Sequence, residues 1–353
     1  MKNCASVCIF FILLILLTGC NVGQGIQEVS AAEELTMVTP LVKATVENKT
    51  PQNGYPLDIP KDYFPPKIVP TSTPSERDKV LLFHETERLR RIEEQGIAES
   101  VPVLEYHSDD YRIPFPNGAV VELDPAGFES QMEWFQAEDV HAVTAEEIIQ
   151  WIEGQIDLPK KSVVLTFDLG NKSMDSIYRI IPLLERTGMQ VIFTIWVSEM
   201  EPNESLGCKG NACWEAYRYA YNSGYASLGS HTITHRDFTL VGESEGLKEL
   251  LLSKEIIEDR TGGEVQALTW PFEAVPDWGE KINTVGFFVG FGGNTYPIKD
   301  NSAKRIPEDY FQIPRVLPPN SSGISGRPHP CTLEDMMNGY WYNEWKEGEN
   351  FCK

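Results

Sequence analysis

Positive charge is the first thing this sequence lacks. Its Lys and Arg number 30 against 52 Asp and Glu, a formal net charge of −22 over 353 residues. Such a surface repels polyanions, so nucleic acid is not an expected partner and neutral or cationic polymers are. Long apolar runs are missing too. The run from Ile9 to Leu17 is short of the ~20 residues a membrane-spanning helix needs. The seven cysteines include no C-x-x-C pair, which argues against a four-cysteine zinc site. Histidine is scarce, with six in all, so their grouping carries information. What is abundant is core-forming material, 41% hydrophobic residues, enough for one large domain or two small ones.

Lys2, the short apolar run and Leu17-Thr18-Gly19-Cys20 make a secretory signal. The last four residues also resemble a bacterial lipobox. That implies lipidation of Cys20 and anchorage to the extracytoplasmic face of a membrane, with an ordinary signal peptide or a single anchor as the alternatives. Residues 21–74 are rich in proline and read as a tether. Ser75-Glu76-Arg77-Asp78 resembles a capping box and opens a lead-in helix, packed by Leu81, Leu82, Leu89 and Ile92 and stopped by Gly96, within a segment 75–98. A main domain is expected over 99–320 and an extension over 321–353. In an exported chain Cys208, Cys213, Cys331 and Cys352 allow three disulfide connectivities, and proximity favours 208–213 and 331–352.

Within 99–320, strand and helix patterns alternate, as in a βα-repeat fold with a parallel sheet, either doubly wound or a barrel. Three strand ends carry chemistry. KSVVLTFDLG puts Asp168 at the tip of an apolar strand, where α/β folds place reacting groups; the plain alternative is an N-cap for the next helix. LGSHTITH delivers His231 and His235, a spacing that lets two imidazoles reach one ion if the turn folds back, although the pair alone is weak evidence. VPVLEYHS ends in His107, followed by Asp109 and Asp110, which could face the same site.

Thr166-Phe167-Asp168-Leu169-Gly170 followed by His231-Thr232-Ile233-Thr234-His235 resembles the polysaccharide deacetylases, which carry T-F-D-D-G and then H-[ST]-x-x-H. The resemblance runs from about Val101 to about Pro318 and implies a distorted (β/α) barrel with seven or eight strands. It also implies a divalent metal on His231 and His235, zinc being the expected ion, with Asp168 as base. Leu104-Glu105-Tyr106-His107 matches a branch in which that His is the general acid. Trp270, Pro271 and Phe272 fall where the family has an aromatic wall, with Glu273 replacing its usual Gly. Arg315, in FQIPRVLP, is expected to be structural.

Leu169 stands where the family has its second Asp, a metal ligand. A weaker site, a substitute ligand from Asp109, Asp110, Asn171 or Asp175, or loss of the metal would each follow. The leading expectation is a metal-dependent hydrolase removing acetyl groups from N-acetylated sugars of an extracellular or cell-wall polysaccharide. A catalytically impaired glycan-binding lipoprotein is the first alternative and a carbohydrate O-acetyl esterase the second.

Overall fold

Side chains alternate across a strand, and in this barrel the alternation separates two interiors. The structure, a computed structural model, describes residues 75–114, 120–170, 174–200, 212–293, 302–304, 310–319 and 331–338. Cys20, the tether, Asn171, Cys208, Cys352, Trp341 and Trp345 lie outside them.

The strands are β1 (Ser100–Tyr106), β2 (Tyr111–Pro114), β3 (Val120–Leu123), β4 (His141–Ala142), β5 (Ser162–Leu169), β6 (Val191–Ile195), β7 (Ala226–Ser230), β8 (Val265–Thr269), β9 (Val289–Phe291) and β10 (Ser302–Lys304). Eight of them form one sheet in the order β10-β1-β5-β6-β7-β8-β9, with β4 beside β5; β2 and β3 pair separately. From β1 to β9 the pairing is parallel. Residues 313–316 then bridge the two ends of that run: Ile313 pairs with Phe291 of β9 and Val316 with Leu104 of β1, both in parallel. The curled sheet is the expected distorted barrel, and this segment is its closing stave.

On β5, Val163, Leu165, Phe167 and Leu169 join the outer core, packed with residues from the helices α2 (Pro125–Ala137), α4 (Met174–Thr187), α5 (Ala212–Ser223) and α6 (Glu243–Thr261). Val164 faces the other way. It joins Val101, Val103, Ile192, Ala267, Val289, Phe291 and Ile313, with α3 (Ala145–Ile152) packed among them. Above this apolar layer the inward positions turn polar, and that change of composition makes the site.

The lead-in helix α1 (Glu76–Gln95) has the expected capping box and ends at Gly96, whose φ of 83° suits glycine. Its inward face is not the expected one. Leu82 and Leu89 are exposed, whereas His84 and Arg88 are buried. The reason is hydrogen bonding. Arg77, Arg88 and Gln95 reach the main-chain carbonyls of Tyr221, Asp157 and Asp139. Arg77 also lies over the Tyr221 ring at 3.7 Å. Cys213 on α5 and Cys331 are both disulfide-bonded.

Burial holds His84 neutral, lowering its pKa to about 4, with His141 adding to the effect and Glu147 opposing it. Between that value and the free-histidine range near 6.5 the unfolded chain binds more protons than the native one. The stability from a neutral His84 is thus present at neutral pH and lost as pH falls through that window. Up to about 3 kcal/mol is at stake. Thermal melts at pH 7 and pH 4.5 should show this loss, and His84→Phe should flatten it.

Candidate functional site

The inward polar positions at the C-terminal ends of the strands converge on one guanidinium. Arg315, on the closing stave, is buried. Its Nη1 and Nη2 donate to Asp168 Oδ1 and Oδ2, both at 2.9 Å. Nη1 also reaches Thr166 Oγ1 at 3.2 Å, and Nε reaches Glu273 Oε1 at 3.1 Å. Nη2 touches Glu273 as well and lies 3.3 Å from Glu105 Oε1. One cation therefore serves three carboxyl groups. Thr194 and Thr269 hydroxyls add bonds to Asp168 Oδ1 at 2.8 and 3.1 Å.

Electrostatics divides Asp168 from Glu273. Burial pushes Asp168 up, but the Arg315 charge, then His231, holds it well below the usual carboxylate range. Glu273 goes the other way: burial raises it to about 8 against the pull of Arg315, so it gives up its proton far less readily than Asp168. Arg315 itself is lifted well above its ordinary value, since Asp168, Glu105 and Glu273 outweigh its burial. Two groups whose environments push them apart in this way are equipped for different proton-transfer roles.

The histidines stand beside Asp168. His231 Nδ1 lies 3.0 Å from the Thr269 carbonyl, which can only accept, so the ring proton is assigned to Nδ1. Burial lowers its pKa to about 4, which keeps the ring neutral. Nε2 is left as an electron-pair donor 3.7 Å from Asp168 Oδ2, itself a donor of pairs. Two such atoms facing each other with no proton between them fit a cation. The His235 ring lies 4.7 Å from that of His231, between Trp196 at 4.5 Å and Phe272 at 4.7 Å. His107, lowered by burial, has Nε2 3.5 Å from Glu105 Oε1. Its Nδ1 is buried with no hydrogen-bond partner.

Glu105, His107 and Asp168 each offer a ligand atom within 4.8 Å of the others, a group that could hold a metal ion. Glu105 was not singled out by sequence. Its signal is the i, i+2 spacing to His107 on one strand, which puts both on the inward face. The guanidinium already contacts two members of this group, so the His231 side of Asp168 is the better cation position.

Several expectations change. Trp270 and Pro271 do not line the groove. Both are buried, the Trp270 indole donating to the Phe311 carbonyl at 2.8 Å and packing on Phe238 and Trp278. Phe272 alone is presented, at 67% exposure. Asp109 does not face the site, because Arg179 of α4 grips it at 2.6 and 2.7 Å. Arg315 is more than structural, since it holds Asp168. Leu169 does not leave a gap in the site. Its side chain is wholly buried in the outer core, on the opposite face from Asp168, because β5 runs on through it as regular strand paired with Ile195.

Backbone strain collects here. Among the described residues five non-glycines have positive φ, and four of them (Thr232, His235, Phe272 and Glu273) lie in the two loops that carry these groups. Such conformations cost of order 1–3 kcal/mol each and persist only where surroundings enforce them.

The polysaccharide deacetylase family model matches residues 155–283, a span that includes Asp168, His231 and His235 but neither His107 nor Arg315. No curated protein matches the chain. Among solved structures, the deacetylase PplD of Streptococcus pyogenes in complex with acetate is similar over 68% of this chain and 97% of its own, with TM-score 0.55 and 17% identity. A de-N-acetylase from Aggregatibacter actinomycetemcomitans is similar over 67% and 99%, with TM-score 0.51 and 18% identity. A polysaccharide deacetylase from Bacillus cereus is similar over 68% of each chain, with TM-score 0.50 and 24% identity. At these identities the likeness establishes the fold.

Proposed function

We infer that this chain is a polysaccharide deacetylase, a hydrolase that removes acetyl groups from N-acetylated sugars of an extracellular or cell-wall polysaccharide. The observation that carries the reading is the facing of His231 Nε2 and Asp168 Oδ2 at 3.7 Å, beside His235 and at the mouth of the barrel. The family match over 155–283 supports it.

His231 and His235 would hold a divalent ion, with Asp168 close by. When bound, such an ion makes water acidic and polarises an amide carbonyl. Asp168 stays ionised at any working pH because Arg315 holds it so. Its weak basicity suits it to take a proton from an already acidic water and not from bulk water. The fork of Arg315 fixes the carboxylate plane, which a flexible Asp would not offer. His107 starts neutral, so the proton it gives to the leaving nitrogen is one it first takes up from solvent, and the proton that Asp168 takes from water returns to solvent. The Asp168 charge beside it favours that protonated form against burial. Exposed Phe272, stacked edge-on to His235, gives a sugar ring an apolar surface at the entrance.

Lipidation at Cys20 and the tether would keep the enzyme at an extracytoplasmic membrane face; the sequence supports this part. The burial of Leu169 favours a second reading, a glycan binder of the same fold in which no metal is held.

Acetate release from N-acetylglucosamine oligomers decides between them. With Zn²⁺, Co²⁺ or Ni²⁺ supplied, release is expected and chelation should stop it. No release with any of these ions, together with glycan binding, would leave the second reading standing. Faster release from O-acetylated xylan than from amides would point to an esterase.

A further inference from the structure

We propose that Glu249, on α6 and remote from any reacting atom, is the residue that positions the His231–His235 pair. This rests on the reading that the pair holds a divalent ion.

The loop from Thr232 to His235 is unusual in where its main-chain hydrogen bonds go. Four consecutive amides are all satisfied by side chains. Thr232 N donates to Ser230 Oγ at 2.9 Å. Ile233 N and Thr234 N both donate to Glu249 Oε1, at 3.2 and 2.8 Å. His235 N donates to Thr232 Oγ1 at 3.1 Å. The Thr232 and Ile233 carbonyls accept from Val197 N and Ser198 N at 3.0 and 3.1 Å, so the main chain anchors one side of the loop and the side chains that accept its four amides set the other. Glu249 accepts two of the four, and the Thr234 hydroxyl at 2.8 Å besides. Thr232 and His235 sit at φ of 66° and 53°, conformations that need enforcing.

The platform behind Glu249 is rigid. Three residues earlier on α6, Gly246 lies so close to the Trp278 indole that an added Cβ would come within 2.2 Å of it. One turn after Glu249, Ser253 Oγ is 2.7 Å from Ser230 Oγ, which ties the start of the loop to the same helix.

The two histidines do not depend on this clamp equally. The His231 ring is fixed through Nδ1 by Thr269 of β8. The His235 ring is packed between Trp196 and Phe272, and its backbone is placed by the clamped loop. Glu249 therefore acts chiefly on His235. It is a positioning residue, and the separation of the two imidazoles is what it sets. Arg236 pairs with the other oxygen of Glu249 at 2.6 Å and with Glu245, and its Nε donates to Thr234 Oγ1 at 2.9 Å. Removing Arg236 leaves both amide bonds intact.

The test uses the full chain as Glu249→Asp, Glu249→Ala and Arg236→Ala. Three quantities are read: Ni²⁺ affinity by calorimetry, histidine ring signals of the metal-free protein by NMR, and melting temperature. Glu249→Asp keeps the charge but draws the carboxylate back by one methylene. It is expected to lower Ni²⁺ affinity by about 10–100-fold, the usual effect of losing support behind a ligand. Its melting temperature should stay near that of the wild type. Its His235 signals should move out of the Trp196 and Phe272 ring-current position while those of His231 stay. Arg236→Ala should lose less affinity than Glu249→Asp, since it removes outer contacts to Glu249 and Thr234 but touches neither amide bond. Unchanged affinity with unmoved His235 signals in Glu249→Asp overturns the proposal, as does an equal loss in Arg236→Ala. If Glu249→Ala does not fold, Glu249→Asp decides. If the wild type binds no Ni²⁺, the metal reading falls by itself. The NMR arm then rules alone: displaced His235 signals uphold the clamp and unmoved ones refute it.

Discussion

Asp168→Asn is expected to reduce acetate release by about 10²–10⁴-fold, the range for a positioned general base, while the barrel stays folded. The asymmetry comes from how the carboxylate is used. Its Oδ1 accepts from Thr194, Thr269 and Arg315 Nη1, and an amide oxygen can accept all three. Its Oδ2 accepts from Arg315 Nη2 at 2.9 Å, where an amide would present a second donor. One bond is lost. Arg315 does not become an unpaired charge, because Glu273 and Glu105 remain against it. The stability cost is then about 1–3 kcal/mol, that of one unsatisfied buried group. With Asp168 gone, Glu273 should ionise more readily, since Arg315 has one acid fewer to serve. Activity and a thermal melt measured on one preparation check both halves. Wild-type acetate release would remove Asp168 from the mechanism, and a variant that fails to fold would mean Arg315 has no reserve partners.

Leu169→Asp, the substitution that restores the family motif, is expected to destabilise the protein and to leave activity no higher. The new carboxyl group would enter the layer built from Leu165, Phe167, Ile177, Ile180 and Ile195, on the side of the sheet away from His231. Leu169 is wholly buried there. An unpartnered carboxyl in apolar packing, plus the lost methyl contacts, costs about 3–5 kcal/mol. For a domain of this size that lowers the melting temperature by about 6–20 °C. Leu169→Met, close in volume, should cost less than about 1.5 kcal/mol. Calorimetric melts and Ni²⁺ titration of both variants test the point. If Leu169→Asp gained metal affinity at unchanged stability, the end of β5 would have to peel into a bulge that turns residue 169 inward.

The alternation of strands and helices and the strand ends were readable from the sequence because short apolar runs and the punctuating glycines are local signals; the choice of a barrel over a doubly wound sheet came from the motif resemblance. Asp168, His107, His231 and His235 could be placed at strand ends on that basis. The carboxyl cluster around Arg315 could not. It joins β1, β5, the loop after β8 and the closing stave, and no spacing along the chain connects residues 105, 168, 273 and 315. Trp270 misled for a related reason. A Trp before Pro and Phe at a strand end reads alike whether the indole faces the groove or the core. The answer lies in the Phe311 carbonyl, about 40 residues on, which takes its N–H. Leu169 was legible as a departure from a motif. That it belongs to the outer core follows only from β5 continuing as regular strand, which a short apolar run does not announce. On α1 the error was of type: apolar side chains were expected inward, and arginine stems with bonded heads took their place.

The closing stave has a bearing on how the chain comes to be folded at all. Ribosomes deliver this polypeptide from its amino end, so β1 through β9 are available before residues 313–316 are. Until Arg315 arrives, Asp168 and Glu105 have no counter-charge in the interior that the other strands are ready to enclose. The barrel therefore cannot seal early around a dry site. The span that carries the family pattern, 155–283, lacks both β1 and the stave. The step that shuts the ring is the same step that fixes the carboxylate, so a molecule that has finished folding is also one whose Asp168 carboxylate is already aimed.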